Sequence, residues 1–206
     1  MFIETKLKSK FQGDFDEKLF KLFPFSYGDE NFVEFIKKYK GGYFFENSLH
    51  FFSFTNSNED LLNIKNVNDT IKSMYKDFVV FNYEYFSQDI FGNLFFFSDE
   101  GVGFLEIETG NQNILAQNFL SFDNLMSNDF EYLTGINYLK DWETQNNKSL
   151  EKSERLCPKI PFVLNGEYTY KNLYSKNSFK NWEFNIDLAK QLKDVPDGTP
   201  FEIRID

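Results

Sequence analysis

Residues Phe86 to Leu125 read FSQDIFGNLFFFSDEGVGFLEIETGNQNILAQNFLSFDNL. The spacing predicts three consecutive antiparallel strands: DIFGNLFFF, then VGFLEIE, then QNILAQNF. In the second strand Val102, Phe104 and Ile107 are set against Glu106 and Glu108, a pattern that puts one set in a core and the other in water. Asp99-Glu100-Gly101 and Thr109-Gly110-Asn111 have the chemistry of hairpin turns, where Gly and Asn accept positive φ. Ser121-Phe122-Asp123 then reads as a helix N-cap. No reactive group stands out in this sheet centre.

Outward from the meander, the flanking segments alternate between helix and strand. Asp14 is a candidate cap for a short helix through Leu22, ended by Pro24. Tyr27 to Lys40 carries Phe32, Phe35, Ile36 and Tyr39 at helical spacing, and Gly41-Gly42 stops it. Ser48 to Phe54 reads as a strand and Asn56 to Asp60 as a polar loop. Asn68-Asp69 opens a helix through Lys76, and Phe78 to Tyr85 returns to a strand. Asp123 to Gln145 is helical with a break near Gly135, with Phe130, Leu133, Ile136, Leu139 and Trp142 on its inner face. Asn146 to Ser153 is a polar link. Beyond it, Cys157-Pro158 cannot sit in a central strand, because proline removes a ladder donor. Phe162 to Tyr174 looks extended with a turn at Asn165-Gly166. Ile186 to Lys193 reads as a helix, Pro196 to Thr199 as a turn and Phe201 to Ile205 as a closing strand. Helices, then hairpin-joined strands, then helices imply an α+β fold: a mostly antiparallel sheet, its central meander at about 78–118, backed by helices. Residues 1–155 form the expected main domain, and 156–206 a C-terminal extension packed on it.

The chain has 206 residues, enough for one domain with an appendage. Phe (28) and Tyr (11) are in such excess that some rings must lie at the surface or in an interface, although the abundance of Asn and Lys fits codon bias as a source. The net charge of −10 opposes binding to nucleic acid or to an anionic membrane and favours a basic partner. That charge is segregated. Asp77 to Leu139 contains no Lys or Arg but ten acids: Asp77, Glu84, Asp89, Asp99, Glu100, Glu106, Glu108, Asp123, Asp129 and Glu131. Outside it, 22 acids meet 22 bases. A solvated face and a site for a basic partner both fit this pattern. One cysteine, Cys157, rules out an intramolecular disulfide and suggests a reducing compartment. No signal peptide and no apolar run of membrane-spanning length is evident, so a cytoplasmic protein is expected.

Two stretches carry a family resemblance. In FPFSYGDENFVEFIKKYKGGYFFENSLHFF, Phe23-Pro24 is followed by a helix, the turn Tyr39-Lys40-Gly41-Gly42 and the strand Leu49-His50-Phe51. In the second, Asp89-Ile90-Phe91-Gly92 precedes a strand and hairpin, and Ser121-Phe122 opens a helix. Together they resemble the SUKH (Smi/Knr-like) superfamily over roughly residues 20–130; Lys40 departs from the Asn common before Gly-Gly. The resemblance implies a binding protein without shared catalytic residues, of the type that acts as an immunity protein against polymorphic toxins, often nucleases. A nuclease needs a basic substrate groove, and an acidic, aromatic-rich face would fit it. Glu84, Asp99, Glu100, Glu106 and Glu108 are the candidate partner-binding residues. The expected partner is a cognate toxin domain with a basic surface, the chain itself being a monomer or homodimer.

Other chemistries have thinner support. A Cys/His nucleophile would need Cys157 and His50, the sole residues of their types, and nothing marks a lowered thiol pKa. One His and one Cys make zinc improbable, and no calcium-loop spacing exists. Gly101-Val102-Gly103 lacks the third Gly and the Lys of a phosphate loop. No cofactor, metal or catalytic residue is therefore expected. The alternatives to an immunity protein are a scaffold or regulatory module of the same superfamily and, more remotely, a carboxylate-based glycoside hydrolase, which needs two acids across a cleft.

Overall fold

The computed structural model describes residues 1–55, 62–76, 82–196 and 198–199. The loop Asn56–Asp60, residues 77–81 of the expected strand region and the closing strand Phe201–Ile205 lie outside the described residues.

Seven strands form one antiparallel sheet in which sheet order is chain order: β1 (Leu7–Lys10), β2 (Gly42–Phe44), β3 (Leu49–Phe51), β4 (Glu84–Gln88), β5 (Leu94–Ser98), β6 (Gly101–Leu105) and β7 (Gln112–Ala116). The meander read from the sequence is therefore its second half, and the fold is α+β. All three strands of the expected meander differ in their bounds, QNILAQNF ending as a strand at Ala116 because Asn118 already caps the next helix. DIFGNLFFF is not one strand: Asp89–Asn93 is the turn between β4 and β5, closed by Asp89 N–H donating to Asn93 O at 3.0 Å. VGFLEIE ends as a strand at Leu105, because Gly110 N–H donates to Glu106 O at 2.8 Å and curls residues 106–110 into a turn.

Alternation fails as well, and for a physical reason. β4 and β5 are buried at every position, and β6 at all but Phe104, because helices cover both sheet faces. On one face lie α3 (Glu30–Tyr39) and α5 (Phe119–Thr134). Their Phe32, Phe35, Phe119 and Phe122 meet the sheet's Phe51, Phe86, Phe95 and Phe97, with centroids 4.9 Å apart for Phe32–Phe97, 4.8 Å for Phe35–Phe51 and 5.2 Å for Phe95–Phe122. On the other face lie α4 (Ile64–Met74) and α7 (Ser178–Leu192), the latter bringing Trp182 edge-on to Phe52 at 6.1 Å. Much of the aromatic excess is consumed here.

Helix starts fall where an Asn or Asp side chain can accept from the first turn. Asp16 rather than Asp14 caps α1 (Glu17–Phe20). Pro24 does not end a helix but opens α2 (Pro24–Gly28), and Asp29 caps α3, so the expected Tyr27–Lys40 helix is two. Its predicted stop is real: Lys40 and Gly41 both take positive φ, and a Cβ on Gly41 would lie 2.6 Å from Phe52 O. Asn63 caps α4, leaving Asn68 buried in its middle. There Asn68 pairs with both backbone groups of Tyr85, replacing a neighbour strand beyond the end of β3. Asn118, not the Ser121–Asp123 segment, caps α5. Gly135 (φ 66°) breaks the helix as expected, and α6 (Ile136–Asn146) follows.

In the C-terminal part, β8 (Glu154–Pro158) pairs with β9 (Leu173–Asn177) in a separate two-stranded sheet. The expected boundary at 155/156 thus falls inside a strand. Short 3-10 turns at Phe162–Leu164 and Tyr170–Asn172 replace most of the expected extended stretch. The last helix starts eight residues earlier than its apolar pattern suggested, capped by Asn177. Its Trp182 indole donates to Gly92 O at 2.8 Å and its Asn181 amide to Phe91 O at 2.7 Å, binding this part to the β4–β5 turn.

Gly103 sits opposite Phe96 in the β5–β6 pair, and a Cβ there would lie 2.3 Å from the Phe96 ring. Gly103→Ala should therefore lower unfolding stability by about 1–3 kcal/mol in a urea titration. Gly28→Ala, with nothing within 4 Å of the new methyl, should leave it unchanged or slightly raised.

Candidate functional site

Asp77 lies outside the described residues, and the other nine acids of the base-free stretch divide into two groups. Four are buried and accept backbone N–H groups. Glu84 receives Phe25 N–H (2.9 Å) and Ser26 N–H (2.7 Å) at the start of α2. Asp89 receives Phe91 N–H, Asn93 N–H and the Asn93 amide at 2.8–2.9 Å. Glu108 receives Val163 N–H at 3.0 Å, and Asp123 receives Phe2 and Ile3 N–H at 2.7 and 2.8 Å. The others, Asp99, Glu100, Glu106, Asp129 and Glu131, are exposed or half-buried. Among the described residues none of these acids forms an ion pair with Lys or Arg.

The five candidate residues therefore do not share one face. Glu84 is interior; burial pushes its pKa up, opposed by the Ser26 and Phe25 N–H bonds. Asp99 and Glu100 sit in the β5–β6 turn, at the opposite end of β6 from Glu106. Only Glu106 and Glu108 come together, in the turn after β6.

These two line a cleft of about 610 Å³. The β6–β7 turn forms one side, the end of α5 another, and the segment following β8 the third. Four rings pack in and around it: Phe162 stacks on Tyr168 with centroids 3.8 Å apart, Phe91 meets Phe162 at 5.3 Å and Tyr138 at 5.6 Å, and Tyr138 meets Tyr168 at 5.8 Å. Tyr132, 87% exposed, stands at the rim. Among the described residues neither Lys nor Arg lines the cleft. Burial raises the Glu108 carboxyl to about 7, with the Glu106 charge adding to the shift, and burial raises Asp89 to about 7 despite its hydrogen bonds. Tyr168 is pushed up to about 12, first by burial and then by Glu108 and Glu106. Sequence reasoning could not find Tyr138, Phe162, Tyr168 or Asn185 of this cleft, because nothing distinguishes them from core or surface residues until the segment after β8 folds over the meander.

His50 and Cys157 are both buried. His50 stacks on Tyr43 at 4.2 Å, its Nδ1 lies 3.1 Å from Gln88 Nε2, and burial together with the Arg155 charge holds its pKa well below the usual value. Cys157 lies in β8, where burial raises its thiol pKa. Among the described residues no group of three or more His, Cys, Asp or Glu is placed to hold a metal ion, and no helix is long and apolar enough to cross a membrane.

No protein-family profile and no curated protein matches this sequence. The architecture is similar to the crystal structure of Atu4351 from Agrobacterium tumefaciens, with a TM-score of 0.59 over 87% of this chain and 84% of that one, at 11% identity. At that identity the likeness concerns the fold alone.

The Glu108 shift has a direct consequence. Its carboxyl binds a proton more tightly in the folded chain than in the unfolded one, so from about 4.5 to about 7 stability falls as pH rises. Glu108→Gln keeps an acceptor for Val163 N–H but removes this titration. Relative to the native chain, the variant should gain on the order of 1–3 kcal/mol between about pH 5 and about pH 8, read by urea unfolding at both. An unchanged difference between the two pH values would mean that Glu108 titrates normally.

Proposed function

We propose that this chain is a non-enzymatic binding protein, of the immunity type, that neutralises a cognate toxin domain by stoichiometric binding through an acidic, aromatic-rich face. The observation that carries this reading is the free acidic surface. Glu106 lines the cleft, and Asp129 and Glu131 are exposed on α5 near Tyr132 in sequence; among the described residues none of the three has an ion-pair partner, and the rings of Tyr132 and Tyr168 are exposed. Carboxylates that the chain leaves unpaired speed encounter with a basic surface, and exposed tyrosines supply anchors that bury apolar area while keeping a polar tip. The SUKH resemblance supports the same class of action. Glu106 and Glu108 remain in the proposed face; Asp99 and Glu100 would steer from a distance; Glu84 is a structural cap.

A glycoside hydrolase is the second reading, since Asp89 and Glu108, both raised to about 7, line one aromatic cleft. Against it, both Asp89 oxygens and the Glu108 Oε2 already accept hydrogen bonds that hold turns in place. Calorimetric titration against the toxin domain encoded beside this chain distinguishes the readings. Binding should be one-to-one and weaken with salt, and Glu106→Lys should weaken it by about tenfold or more. Tight binding insensitive to salt would remove the acidic face from the mechanism, and no binding at either salt would remove the immunity role.

A further inference from the structure

The cleft beside Glu106 has an unused acceptor at depth. Asn185 is 1% exposed and lines the cavity. Its amide N–H group donates to both Asn181 O and Asn181 Oδ1 at 2.9 Å, which fixes which end of the amide is oxygen. Among the described residues the Asn185 Oδ1 atom accepts no hydrogen bond, although the Cys157 thiol lies close enough to interact with the Asn185 side chain. A buried acceptor without a donor is costly, and a ligand that supplies the donor recovers that cost on binding. Nearer the mouth, Glu106 gives one oxygen, Oε2, to the Thr109 hydroxyl at 3.1 Å and makes no ion pair among the described residues. The rings of Tyr138, Phe162 and Tyr168 line the same cleft.

We propose that this cleft receives an arginine side chain of the partner, its guanidinium held between the Glu106 carboxylate and the aromatic wall and reaching toward the Asn185 Oδ1. The chemistry selects this occupant. A guanidinium has five donors and no acceptor, stacks on aromatic faces and is more weakly hydrated than an ammonium. Glu106 and the Asn185 Oδ1 are acceptors, so at these two points a group rich in donors meets a complement that an anion would not. The Glu106–Glu108 pair places two carboxyls in one turn, with no Lys or Arg among the described residues that line the cleft, and a single guanidinium would relieve their proximity. The proposal rests on the reading of this chain as a binding protein, and names the residue type through which the partner anchors.

The test uses the chain alone with a small probe, so that its failure is separate from failure of the toxin titration. N-acetyl-L-arginine amide is titrated into the 15N-labelled protein, with N-acetyl-L-citrulline amide as the uncharged isostere, and N-acetyl-L-lysine amide and N-acetylglucosamine as competitors in kind. The arginine probe should give saturable shifts at the amides of residues 106–109 and at the Asn185 side-chain amide. Citrulline should bind about tenfold more weakly or worse, and Glu106→Gln should weaken the arginine probe by roughly fivefold or more. Tyr168→Ala, at an exposed ring, should weaken it without unfolding the chain. Equal binding of citrulline, stronger binding of lysine or of the sugar at the same amides, shifts confined to other surfaces, or no saturation up to about 50 mM would each overturn the proposal.

Discussion

The fold depends on carboxylates that accept backbone N–H groups from chain-distant segments. Asp123 holds the N-terminal residues Phe2 and Ile3 across 120 positions of sequence, and Glu84 holds the first turn of α2 across about sixty. Asp29 serves two helices at once: Oδ1 accepts from Phe32 to cap α3, and Oδ2 accepts from Phe119, the first residue of α5, at 2.7 Å. Helix starts present N–H groups without intrahelical partners and a positive dipole end, so an anion there is favoured twice. A hydrogen bond to a charged acceptor contributes about 1.5–3 kcal/mol, and leaving such a carboxylate buried without donors would cost more. This explains how ten acids can occupy a stretch with no Lys or Arg. The interior ones take backbone amides among their donors, so their oxygens are satisfied without a basic side chain from the same stretch.

Those pins also decide what could be read from the sequence. The meander was legible because two glycine-bearing turns, at Gly101 and Gly110, punctuate apolar runs, and the Gly135 break was legible because that residue does take positive φ. Helix starts were misplaced because several Asx residues compete within each connection and local spacing does not say which side chain points back at its own helix. Asp123 looked like a cap and is instead bonded to the chain's N-terminus; Asn68 looked like a cap and is instead an edge for β4. Strand alternation misled for a different reason. Period two assumes one wet face, whereas the helices on both sides of this sheet make nearly every position of β4 to β6 apolar or small.

The segment after residue 153 could not be placed from its own pattern, because its binding determinants are single side chains. Trp182 and Asn181 grip the carbonyls of Gly92 and Phe91, and a Cβ on Gly92 would press within 2.8 Å of the Asn181 amide. Asp89-Ile90-Phe91-Gly92 therefore has an architectural role: it is the turn on which α7 rests. Arg155 adds a second attachment. It is fully buried in β8, where burial lowers its pKa to about 10 while Tyr43 and Asp89 favour its charge. A guanidinium in that position joins β8 to the sheet through β2 and the β4–β5 turn, which is why a cut at 155/156 does not separate two units.

Glu108 is one of the buried acids, yet it stands beside the half-buried Glu106 in the turn after β6. Through Val163 N–H it holds down the segment that forms one wall of the cleft; through its position beside Glu106 it makes that cleft electrostatically unsatisfied. Exposed acids such as Asp99 and Glu100 are solvated, and pairing them with a cation would add little. A carboxyl whose pKa has risen to about 7 is different: burial already disfavours its charged form, and a cation placed beside it would draw that pKa back down and favour the charge. On the proposed reading, a cationic partner would therefore find its complement where the scaffold leaves its own electrostatics incomplete, at the meeting of the meander's last turn with the wall it holds in place.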